Sequence, residues 1–171
     1  LDQAEGYFRD GIALAQEANY QYFLAALKNH MGSFLMVKGA YSEALPYLLE
    51  ALNLFQEIGH KGFLSTVIKH LAQWSWHHKR YGSNPARWLA CAVNQMERSG
   101  EMGTTFEDAE LAAFRTELQA NLGEDVFARA WAAGQQMSIE EALDEIVSTL
   151  PPETGETSSS HLLRNVAADE G

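Results

Sequence analysis

An all-α fold is what this sequence predicts, on three observations. Apolar residues recur at helical steps of three and four in one segment after another, and glycine and proline punctuate those segments at short intervals. No stretch between turn signals alternates with period two for long enough to require a strand. Hydrophobic residues make up 46% of the 171, enough to bury a continuous core in a chain of this length.

The elements follow in order. Ala4, Phe8, Gly11 and Ala15 share one stripe of a first helix, and Phe23, Leu27, Met31 and Phe34 or Leu35 share one of a second. Lys38-Gly39-Ala40-Tyr41 breaks the pattern, with Gly39 expected to take the positive φ of a helix C-terminal cap. Ala44, Leu48, Ala51, Phe55 and Ile58 then give a third helix, with Glu43, Glu50 and Glu57 on another stripe. The next pair runs from Phe63 to about His78 and from Pro85 to Met96, with Asn84 as predicted N-cap and Pro85 in the first turn, where a missing amide donor costs nothing.

After Gly100 the composition turns acidic. Thr104 with Glu107 reads as a capping box opening a helix that turns Leu111, Phe114, Leu118 and Leu122 inward and stops at Gly123. A short helix from Glu124 to about Ala133 buries Phe127, Ala130 and Trp131. Ser138 with Glu141 starts the last helix, with Ile139, Ala142 or Leu143, Ile146 and Leu150 inward, and Pro151-Pro152 ends it. From Glu153 the chain is rich in Ser, Thr, Gly and acid and reads as a linker or tail.

Ala4, Phe8, Gly11 and Ala15 match Ala44, Leu48, Ala51 and Phe55 at an offset of 40. Repetition at that period is the signature of a stacked helical array. The expected architecture is therefore a right-handed α-solenoid of antiparallel helix pairs over residues 1–100, an acidic C-terminal helical cap of the same array over 101–150, and a tail over 151–171. Gly32, Gly39, Tyr41, Ala44, Leu48 and Ala51 resemble the small-and-large signature of tetratricopeptide repeats. A longer pattern, Leu122, Gly123, Glu124, Phe127, Ala130, Trp131, Gly134, Met137, Ser138, Glu140, Glu141 and Ala142, resembles the end of the helical sensor region in bacterial signal-transduction ATPases and LuxR-like transcription regulators. That resemblance implies no catalysis in this segment, because the family's ATPase chemistry lies in another part.

Charge narrows the partners. Residues 1–100 hold 9 Lys/Arg and 8 Asp/Glu, whereas 101–171 hold 3 and 15, so the acidic half repels phosphate backbones and nucleic acid is not an expected partner. No apolar run approaches a membrane span and no signal peptide is recognisable; with a single cysteine, Cys91, the expectation is a packed thiol in a reducing, cytoplasmic setting. The start at Leu1 suggests a piece of a longer polypeptide.

Motifs for phosphate binding, for serine hydrolysis and for zinc are not found, so neither enzyme chemistry nor a cofactor is expected. The one concentrated constellation is "KHLAQWSWHHKRYG", where His70, Trp74 and His78 fall at i, i+4 and i+8 with His77 beside them. A packing or surface role, a partner or ligand contact, and a metal site are all open for it. Trp74 and Trp76 point to different faces, one for the core and one as an exposed anchor. In the best repeat Ala26, Asn29, Ser33 and Met36 are the expected groove positions, suited to holding a helix or extended segment of a partner. The reading is a non-enzymatic module that binds a protein, a peptide or a small effector, as the sensor part of a larger bacterial regulator. A free-standing peptide-binding scaffold and a sensor built on the His70–Trp74–His78 face are the alternatives.

Overall fold

The computed structural model of the chain describes residues 2–100 and 105–151. Over them run α1 (Asp2–Glu17), α2 (Gln21–Val37), α3 (Tyr41–Ile58), α4 (Lys61–His77), α5 (Asn84–Ser99), α6 (Thr105–Leu122), α7 (Glu124–Gln136) and α8 (Ile139–Thr149), with no strand among the described residues. None of these helices is long and apolar enough to cross a membrane. The tail from Pro152, and Thr104 of the expected capping box, lie outside the described residues.

The connections are short because the caps turn the chain at once. At the end of α2, Gly39 (φ 80°) lets its own N–H reach Met36 and the Ala40 N–H reach Leu35, satisfying carbonyls that the helix leaves open. Gly59 (φ 74°) does the same after α3, where the His60 N–H meets the Phe55 carbonyl. Asn84 is not the N-cap that the sequence suggested. It is the first residue of α5, and a backbone turn from its N–H to the Tyr81 carbonyl carries the chain into the helix without a side-chain cap at Ser83. The capping box of Ser138 and Glu141 is present at α8, each side chain taking the other's backbone N–H.

Consecutive helices pack on one another from α1 to α5; α7 lies against α5 and α6, and α8 reaches back to α4 and α5. Two glycines set the spacing. A Cβ on Gly32 would stand 2.6 Å from Leu48, so the bare backbone of α2 is what lets Leu48 of α3 close on it. A Cβ on Gly134 would run into the Arg87 carbonyl and stand 2.8 Å from the Ala90 Cβ, so α7 touches α5 backbone to backbone. The core is continuous along this stack, from Ile12 and Ala15 through Met31, Leu48, Phe55, Ile68 and Trp88 to Trp131 and Ile146.

Helix α4 occupies the middle. It packs on α2, α3, α5 and α8, and buries Val67, Ile68, Leu71, Ala72 and Trp74 together with the polar Ser65, Lys69, His70 and Ser75. Around it the Lys28–Glu50 ion pair joins α2 to α3, Lys61–Glu140 joins α4 to α8, and Arg87–Glu145 joins α5 to α8.

The glycine contacts give a direct test. Gly134→Ala gains about 1 kcal/mol of helix propensity, but an overpacked site against rigid backbone loses about 1–3 kcal/mol and forces α7 off α5. The expected result is a lower urea midpoint for Gly134→Ala, while Gly6→Ala, with open space around its Cβ, is neutral or stabilised.

Candidate functional site

A groove of about 540 Å³ opens where α2, α4 and α6 come together. Ser33, Met36 and Val37 line it from α2, Gln73, Trp76 and His77 from α4, and Glu110, Phe114 and Glu117 from α6, together with Tyr41 and Lys79. On α2 and α4 the lining residues follow the same step of i, i+3, i+4, which brings one stripe of each helix to the same side. Residues 33, 36 and 37 become 73, 76 and 77 on adding 40, the offset already visible in the apolar pattern.

The groove is amphipathic. Met36, the exposed Val37 and the ring of Phe114 supply apolar surface, and the polar groups tie one wall to the other. The Trp76 indole N–H donates to Glu117 at 2.7 Å and the Gln73 amide donates to Glu110 at 3.4 Å, so α4 and α6 meet through side chains across the trough. The Tyr41 ring lies flat on the His77 imidazole, with centroids 3.5 Å apart and planes 5° from parallel. Lys79, in the left-handed region at φ 50°, ends α4 beside them.

Of the eight residues singled out in the sequence, Ser33, Met36 and His77 line this groove. Asn29 and His70 lie below it: they are 2% and 7% exposed, and Asn29 Oδ1 sits 2.8 Å from His70 Nδ1, a buried bond between α2 and α4. Trp74 is core, its indole N–H donating to the Tyr41 carbonyl at 2.8 Å, and Trp76 is the tryptophan that reaches the groove. His78 is half-buried against Trp74, with ring centroids 4.1 Å apart. Ala26 is half-buried against the core. The helical face from His70 through Trp74 to His78 is thus divided among packing contacts. Among the described residues no three His, Cys, Asp or Glu side chains come together as a metal site.

Val37, Tyr41, Gln73, Lys79, Glu110, Phe114 and Glu117 were not foreseen in the groove. Gln73 was within reach of the sequence, as the counterpart of Ser33 at an offset of 40. The α6 residues had no such signal, since their approach to α4 spans more than thirty positions and a change of composition.

Burial governs the two perturbed groups nearest the core. Cys91 is buried, with its thiol donating weakly to the Met137 and Ser138 carbonyls at 3.5 Å; burial, then Glu141 and Glu140, push it up to about 11, which leaves a packed thiol rather than a nucleophile. His70 is held well below the usual histidine range by burial first, then by the charges of Lys69 and His30. Unfolded, His70 titrates at its ordinary value of about 6.5, so below that pH the unfolded chain binds a proton that the folded chain refuses. Its contribution is full above about pH 6.5 and is lost as pH falls through that value toward the folded one. Thermal melts from pH 7.5 to 5 should show Tm falling with acid, and His70→Gln should flatten that fall while being less stable than the native chain at pH 7.5.

No family model matches this chain, and neither a curated protein nor a solved structure matches it.

Proposed function

We propose that this chain is a non-enzymatic interaction module, a right-handed solenoid of antiparallel helix pairs of the tetratricopeptide kind, whose inner groove captures a segment of a protein partner. The observation that carries the reading is the repeat of the groove itself. Ser33, Met36 and Val37 on α2 and Gln73, Trp76 and His77 on α4 occupy equivalent positions forty residues apart and line one trough. In a stack of helix pairs, side chains at equivalent positions of successive first helices form one continuous surface, which suits an elongated ligand better than a reaction centre.

The chemistry of the lining agrees. Met36, Val37 and Phe114 offer apolar contact, while Gln73, His77 and the two glutamates offer polar contacts along the same strip, the pattern met by one face of an amphipathic segment. Trp76, half-buried in the groove lining with its indole N–H donating to Glu117, has the character of an anchoring residue. The pattern from Leu122 to Ala142 supports the wider setting, the sensor part of a larger bacterial transcription regulator or signalling ATPase that works in the cytoplasm. In that setting, occupancy of the groove biases attached domains through differential contacts in two states.

Selection of a random peptide library on the 171-residue chain tests the groove. Selected peptides should lose affinity by about tenfold or more on Ser33→Tyr, which fills the trough, and on Trp76→Ala, with the helical circular dichroism of both variants unchanged. Peptides that bind both variants as well as the native chain refute the assignment.

A further inference from the structure

We propose that the groove selects a basic occupant: a helical segment with two Arg or Lys residues at i and i+7 and an apolar residue between them. This rests on the reading of the groove as a peptide-binding surface. Several carboxylates among the described residues are paired with cations. Glu5 meets Arg9 and Lys38, Glu50 meets Lys28, Glu140 meets Lys61 and Glu145 meets Arg87. Glu110 and Glu117, like Glu43, Glu124 and Asp144, have no cation partner among the described residues; in the groove Glu110 and Glu117 bond to the neutral amide of Gln73 and the neutral indole of Trp76. A neutral donor satisfies one lone pair and leaves the charge uncompensated. Two uncompensated negative charges therefore line one wall of the groove.

Their placement sets the spacing of what they meet. Glu110, Phe114 and Glu117 stand at i, i+4 and i+7 on α6, so the carboxylates are separated by two turns, about 10 Å along the helix axis, with the Phe114 ring between them. A helix lying along the groove matches this with cations two turns apart and an apolar side chain between them on the same stripe. The opposite wall favours the same charges. Trp76 and Tyr41 present aromatic rings, which attract cations, and the fold already seats the Arg115 guanidinium 4.3 Å from the Trp131 ring centroid. Lys79, exposed and also lining the groove, carries the opposite sign. Replacing a neutral donor by a guanidinium converts each bond into a charge-assisted one, the stronger kind.

The test uses the peptides whose binding depends on the groove, those lost on Ser33→Tyr, and measures them by fluorescence anisotropy. Their sequences should carry paired Arg or Lys flanking an apolar residue. Affinity should fall about tenfold or more in Glu110→Gln/Glu117→Gln, rise in Lys79→Glu and weaken with added salt. Changing the basic pair of a peptide to Gln should reproduce the loss and remove the effect of the glutamate variants. Groove-dependent peptides without paired basic residues, bound equally by native chain and double variant, overturn the basic-occupant inference and leave the groove intact as a site. Peptides indifferent to Ser33→Tyr, or a library that yields no binder, overturn the groove reading as well.

Discussion

The enclosure of α4 is the constraint on which the rest depends. A helix in contact with α2, α3, α5 and α8 buries most of its length, and its buried hydroxyls and imidazole find partners within the protein. Ser65 and Ser75 turn back on their own helix, donating to the Lys61 and Ala72 carbonyls at 3.2 and 2.9 Å. His70 finds Asn29 on the neighbouring helix. Leaving any such group unpaired costs about 1–3 kcal/mol, a large part of the stability of a domain this size. The pairing of Asn29 with His70 therefore fixes α2 against α4 at one register, and that register brings Ser33 and Met36 opposite Gln73 and Trp76.

The groove is thus a consequence of packing on its far side. Gly32 admits Leu48, which draws α3 onto α2, and α3 in turn packs on α4. At the other end Gly134 brings α7 onto α5, and Arg115 of α6 covers the Trp131 ring of α7. The distance across the groove is set through these contacts as well as by the side chains that face into it.

Much of the fold was legible because helices announce themselves locally. Apolar stripes gave the elements, Gly39 gave a turn with the positive φ expected of it, and Ser138 with Glu141 gave a cap that is present to the atom. Asn84 was misplaced by one position because a backbone turn after Tyr81 substitutes for the side-chain cap. The histidine constellation stayed open in the sequence for a physical reason. Spacing at i, i+4 and i+8 specifies a face of a helix and says nothing of what covers it, and in α4 that face is covered by Asn29, the Tyr41 carbonyl and the Trp74 ring. Glu110 and Glu117 share a surface with α4 only through their bonds to Gln73 and Trp76, which no local pattern announces.

Among the described residues, that wall of the groove is held by few buried contacts. Among the described side chains of α6 only Phe114 and Leu118 are buried, each worth about 1.5–3 kcal/mol, and its links to α4 are two bonds between exposed groups, each worth about 1 kcal/mol net. By contrast α2 and α4 are joined through the core. On the proposed reading, a ligand in the groove would meet one wall joined through the core and another whose contacts are few, where a donor on the ligand could replace the Gln73 amide or the Trp76 indole. Elements held by few buried contacts are the ones that open first. Behind that wall α6 leans on α7, and α7 is locked to α5 at Gly134, so the lightly buried helix is braced by a close backbone contact one layer away.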